Sequence, residues 1–239
     1  MKHPSLLTSK TIVIEPGYDE SVEVVIDNPN QRLKRLLISH EIADHFMMTK
    51  LSFGGRDQML SSSGVPAALF STEAAPEDYD FDVLGNGPVK ISATNTSGEP
   101  RPFSVVLVMG VFLKDLSFPS PRRNFLGFGS TLIPAGASAD IGAKPTRSFY
   151  GARLVVPSAM TEHFAVSGIR CNFTEQLSFA MTTSPVPAMV FSEKAPQIGR
   201  HGFDLDRVRP HEFLTIQIHN TSRDARNFSC AFTGMFDDA

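Results

Sequence analysis

The chain has no tryptophan and only three tyrosines in 239 residues. Platforms on which sugars or nucleobases stack are therefore scarce, and the 19 phenylalanines point to apolar packing instead. Cysteine is nearly absent too. Cys171 and Cys230 both fall in the second half, where a disulfide between them stays open as a reading. Neither sign of charge dominates, with 22 Lys+Arg against 25 Asp+Glu, so a polyelectrolyte-binding surface is not expected. No window is apolar for long enough to span a membrane as a helix. Met1–Thr8 lacks the continuous apolar core of a signal peptide, so the expectation is synthesis and folding in a cytoplasm. The sequons at Asn95, Asn172, Asn220 and Asn227 then read as turn chemistry rather than glycosylation sites. Also missing are a Gly-X-Ser-X-Gly elbow, a P-loop and a dinucleotide fingerprint, and Gly127-Phe128-Gly129 is too short to cradle a phosphate.

What the chain does have is an internal repeat. Residues 35–58 align with 153–176 at an offset of 118, sharing Arg35/Arg153, Leu36/Leu154, His45-Phe46/His163-Phe164 and Gln58/Gln176. Residues 65–74 (VPAALFSTEA) align with 186–195 (VPAMVFSEKA) at an offset of 121, with six of ten identical. Residues 95–104 (NTSGEPRPFS) align with 220–229 (NTSRDARNFS) at 125, again with six of ten. Beyond them, Gly110 and Phe112 match Gly234 and Phe236 at 124. Three collinear blocks whose offsets drift by a few residues are the mark of a duplication with small loop insertions.

Within the first copy, short β-rich runs alternate with turn signals: 11–15, 22–26, 33–38, 46–53, 67–70, 79–83, 89–94 and 103–113. The segment 89–95 and its counterpart 213–220 alternate apolar and polar residues, the period of a strand with one wet face. The nearly continuous apolar run 103–113 predicts a strand buried on both faces. No stretch sustains a helical period over three turns, although 40–46 and 158–164 suit a single helical turn. The fold class is thus all-β: two tandem, duplicated antiparallel β-sandwich domains. Eight strands per copy favour a jelly roll over an immunoglobulin-like sandwich. The domains are drawn at residues 1–115 and 131–239, with 116–130 as a linker. Pro119, Pro121 and the glycines mark that linker, but Phe118, Phe125, Leu126 and Phe128 make it apolar, so it is expected to pack between the domains.

The candidates for chemistry are few. An acid beside an imidazole, Asp44-His45 and Glu162-His163, could tune a proton transfer, yet neighbours on a strand point to opposite faces and no nucleophile accompanies either pair. The better reading is a polar loop entering a strand through a buried Phe46 or Phe164. The His-X-His-then-Glu metal motif of cupins is in neither copy: His40 and His45 lie five apart, and His211 and His219 sit at opposite ends of one predicted strand. Arg122-Arg123 reads as a solvated turn, and Arg35/Arg153 as strand openers that ion-pair across a domain edge. No residue is put forward as catalytic, cofactor-binding or metal-ligating, and no cofactor is called for.

Two tandem jelly rolls joined by a packed linker resemble the double jelly-roll major capsid proteins of tailless icosahedral DNA viruses and adenoviruses. In that family three chains form a capsomer of six barrels. The resemblance implies a non-enzymatic structural protein of a virus or phage particle, assembled in the host cytoplasm from copies of itself, as a trimeric capsomer, and with other virion proteins. The Phe-rich linker, the Asp/Glu-His-Phe loops and the chain ends are the expected contact regions. A carbohydrate- or surface-binding sandwich without catalysis is the alternative, and a cupin-like metalloenzyme a distant third.

Overall fold

A computed structural model describes residues 6–26, 31–59, 63–74, 87–111, 123–178, 185–195 and 205–236. The first copy runs β1 (Leu6–Ile14), β2 (Asp19–Ile26), β3 (Gln31–Ile38), a helical turn α1 (His40–Ala43), β4 (Phe46–Phe53), β5 (Arg56–Asp57), β6 (Val65–Pro66), a 3-10 turn (Ala67–Phe70), β7 (Gly87–Asn95) and β8 (Arg101–Val111). The second repeats it element by element: β9 (Arg123–Ile133), β10 (Ser138–Ala143), β11 (Phe149–Val155), α2 (Ser158–Thr161), β12 (Phe164–Cys171), β13 (Thr174–Ser178), β14 (Val186–Pro187), a 3-10 turn (Ala188–Phe191), β15 (Leu214–Asn220) and β16 (Arg226–Phe236).

Each copy pairs its strands into two antiparallel sheets. The first has the order β1-β8-β3 and β2-β7-β4-β5, with β6 against β4. The second has β9-β16-β11 and β10-β15-β12-β13, with β14 against β12. The first four strands of each copy, β1 to β4 and β9 to β12, alternate between the sheets, and the first strand of each copy pairs with its last. That is the jelly-roll arrangement, and it removes the immunoglobulin-like alternative. Parallel bridges from Ile38 to Ser71 and from Val156 to Ser192 lay the segment after each 3-10 turn beside the edge of the three-stranded sheet.

The period-2 pattern explains the sheets' two faces. Along β7, Val89, Ile91 and Ala93 turn inward, and along β15 Leu214, Ile216 and Ile218 do the same while Gln217 stays out. Rings from facing sheets meet in each core at equivalent places, Phe46 on Phe103 and Phe164 on Phe228, both with centroids 4.9 Å apart.

Several expectations change. Residues 67–70 are a 3-10 turn, not a strand, because Pro66 fixes the φ that leads into it. The run 79–83 lies outside the described residues, as do Phe118, the two linker prolines and Arg122. The linker reading of 116–130 does not hold at its C-terminal end. Phe125, Leu126 and Phe128 belong to β9, whose first residue is Arg123 and whose apolar side chains are core, not tether. Over residues 101–108 strand β8 is buried on one face only, with Val106 and Val108 half-buried on the other, whereas β16 is buried on both over residues 228–234. Its register also moves one match: Gly234 lies opposite Gly151 where Met109 lies opposite Leu33, so Gly234 corresponds to Met109 and not to Gly110.

Candidate functional site

The retained polar motifs turn out to be joinery. Asn95 and Asn220 are fully buried between the last two strands of their copies. The Nδ2 of Asn95 donates to the carbonyls of Ile14 and Glu99 at 2.8 Å, while its Oδ1 accepts from the Ser97 amide and hydroxyl at 2.9 and 2.7 Å. Asn220 repeats this with Ile133, Asp224 and Ser222. Each asparagine thus ties the end of the first strand to the turn before the last, leaving none of its own polar atoms unpaired.

The Asp/Glu-His-Phe segments end the helical turns α1 and α2. The amide of His45 donates to Ile42 O, and that of His163 to Met160 O, both at 3.0 Å. The carbonyls of His45 and His163 accept from Thr96 and Thr221 at 2.8 Å, and the phenylalanines that follow are buried. Asp44 lines a cleft where loss of water pushes its pKa above the usual value, against the pull of His45 and Lys194.

His40 approaches Glu73 at 3.5 Å, His219 shares a 3.1 Å contact with Ser138 Oγ, and His211 stands in an exposed turn at φ 75°. These histidines do not converge, and among the described residues no group of three metal-ligating side chains forms. Arg153 sits mid-strand and buried, not at a strand opening. Its Nη2 donates to the carbonyls of Ser192, Glu193 and Ala195 at 3.2, 3.4 and 2.9 Å, clamping the turn after Ala188–Phe191. The two cysteines are free thiols in different sheets. Burial drives Cys171 up to about 12, with Asp206 and Glu212 adding to the shift, and burial alone raises Cys230 further from reactivity.

The feature with functional content is the seam between the copies. The outer face of sheet β9-β16-β11 is covered by the first sandwich, so that Phe125, Val155 and Ala231 join the first copy's core. Phe125 meets Phe70 edge-on at 5.0 Å, and its amide donates to Gln58 O at 3.4 Å. Gly127 allows the closest approach: a methyl built there would overlap the carbonyl of Gly64 outright and reach 3.0 Å from Val65 Cγ2. At the rim, Lys194 Nζ pairs with Glu73 Oε2 at 2.6 Å, which lowers the Glu73 pKa and raises that of Lys194. Between the rims lies a cleft of about 170 Å³, lined by Asp44, Phe46 and Pro66 from one copy and Pro157, Met160 and Ser229 from the other. The joint is heterologous: the β6 side of one jelly roll meets the outer sheet face of the next, two different surfaces.

Sequence reasoning anticipated Phe125 as packing between the copies but missed Val65, Val155, Ala231 and the Glu73–Lys194 pair, and it named the Asp44 loop only as a contact between chains. The signal within reach was Gly127-Phe128-Gly129, since glycines in an apolar strand mark a close backbone approach.

No family model matches the chain, and no curated protein sequence matches it. Among solved structures it is similar to the major capsid protein P2 from bacteriophage PM2, at 11% identity over 97% of this chain and 99% of that one, with a TM-score of 0.44. A second similar chain comes from the atomic structure of Sulfolobus Turreted Icosahedral Virus, at 10% identity over 96% and 91%, with a TM-score of 0.43. Likeness at this level carries no functional or residue-level correspondence.

Proposed function

We propose that the protein is a structural component of a virus or phage particle, a capsid protein that assembles through symmetric contacts between its own copies. The observation that carries this reading is the heterologous joint inside the chain, where one jelly roll docks onto its duplicate through two unlike surfaces. An isologous pair would satisfy itself and stop, but a heterologous joint leaves one surface of each kind unused at the two ends of the block. Chains repeating that joint build a ring where its rotation closes, and three chains would supply the six jelly rolls of a pseudo-hexagonal tile. The rest of the molecule suits a tile: the recurrent polar residues are bound in turns, and the thiols are buried and held protonated. Assembly in the host cytoplasm and contacts with other virion proteins complete the proposal. Negative-stain microscopy of the purified protein at micromolar concentration tests it. Rings or shells of uniform size are the expected result. A strictly monomeric protein under all assembly conditions, with no capsomer in particles from its native source, would sink it.

A further inference from the structure

The two copies bury equivalent positions to very different degrees, and the differences form a matched set. On the β6 side of the first copy, Val65, Ala68 and Leu69 are buried to 1, 2 and 1% exposure, with Val65 beside Gly127 and Ala68 lining the cleft shared with the second copy. Their counterparts on β14 and the following turn are open: Val186 is half-buried, Met189 is 57% exposed and Val190 40%. The sheet faces show the converse. In the second copy Val155, Ala231 and Thr233 are buried at 1, 0 and 2%. The backbone pairings make Leu37, Val106 and Val108 their equivalents, and all three are half-buried. One chain therefore carries an unused apolar knob at its second copy and an unused apolar face at its first.

We infer that Met189 and Val190 of one chain seat on the Leu37–Val106–Val108 face of a second copy of the same chain, reproducing between chains the joint seen within it. This rests on the capsid reading above and names the surfaces through which that reading would operate. Exposed apolar groups that are buried at the equivalent place in the same molecule already have a demonstrated partner type. Charge agrees: residues 1–115 carry 10 Lys+Arg and 15 Asp+Glu, a net of −5, and residues 116–239 carry 12 and 10, a net of +2, so each interchain joint brings a basic half to an acidic one. The copy of the joint is not perfect. Where Gly127 faces Gly64, the corresponding positions hold Ser9 and Pro185, which cannot approach as closely, so the interchain contact is looser at that corner and the tile only quasi-sixfold.

The test uses the full chain and mass photometry. Met189→Asp/Val190→Asp removes the knob, and Val106→Asp spoils the face, with Val108→Asp as a second face variant should the first fail to fold. Wild type is expected to form one ring size, and each variant to stay monomeric with a folded circular dichroism spectrum, its contact weakened about 100-fold or more by losing apolar burial. Mixing a knob variant with a face variant leaves one intact joint and should give a dimer that grows no further. Ring formation by either variant as in wild type, or a mixture that remains monomeric, overturns the inference while leaving assembly intact. A wild type that never associates overturns both.

Discussion

Replacing Gly127 by alanine tests whether the two jelly rolls are one rigid block. The added methyl meets backbone, the Gly64 carbonyl, and then Val65 Cγ2 at 3.0 Å, so no flexible side chain can swing aside to admit it. Overpacking a tight site costs about 1–3 kcal/mol, and contact with fixed backbone places this one near the upper end. The alternative is that the seam opens. That would expose Val65 and Phe125, now 1 and 0% accessible, at about 1.5–3 kcal/mol per side chain, which makes separation no cheaper than strain. A loss of about 3 kcal/mol in a chain of this size lowers Tm by about 6–12 °C if the block unfolds as one unit. Differential scanning calorimetry reads both quantities. Gly98→Ala is the control, since nothing lies within 4 Å of a methyl there. If Gly127→Ala melts within 2 °C of wild type by this scale, the copies are not packed through Gly127 and the rigid-block argument goes with it.

Asn95→Ala leaves the buried Ile14 carbonyl without its donor and dissolves the Ser97 turn, costing about 3 kcal/mol in urea unfolding, and Asn220→Ala should cost a similar amount; a loss below about 1 kcal/mol for either would refute the joinery role. Glu73→Gln removes the rim ion pair. Because Lys194 lowers the Glu73 pKa, the pair's contribution is present above the usual carboxylate range and is lost as pH falls through the lowered value. The Tm gap between wild type and Glu73→Gln should therefore be constant near neutrality and close in acid, and a gap that widens in acid would contradict the pairing. Iodoacetamide at pH 8 should leave Cys171 and Cys230 unlabelled in the folded chain and label both in urea; stoichiometric labelling of the native protein would show that burial does not hold the thiols protonated.

The repeat, the strands and the turns were legible because each is written in short-range pattern. Alternation gave β7 and β15, Asn-Thr-Ser gave the turn before the last strand, and the phenylalanines after His45 and His163 are the core anchors expected of them. What depended on long-range packing was not legible. Val106 and Ala231 occupy the same place in equivalent strands, yet one is half-buried and the other wholly buried, because only the second has a neighbouring domain over it. The run of apolar residues in β8 therefore read as doubly buried when its outer face is open within the chain. Likewise Phe125 and Phe128 read as a sticky linker because Pro119 and Pro121 precede them, although they begin the next jelly roll.

The divergence between the copies carries the same lesson one step further. In the block 65–74 against 186–195, Ala67/Ala188, Phe70/Phe191 and Ser71/Ser192 are buried in both copies and identical, as a shared core requires. Val65/Val186 and Pro66/Pro187 are identical as well, although in the second copy Val186 is half-buried and Pro187 exposed. Core packing within the second jelly roll does not account for an apolar surface there. Ala68 becomes Met189, a larger and more adaptable side chain, on the surface where the inferred interchain joint would set Pro185 against Ser9 in place of Gly64 against Gly127. A flexible thioether that can fill a looser contact is what an interchain version of the seam, as inferred above, would need at that position.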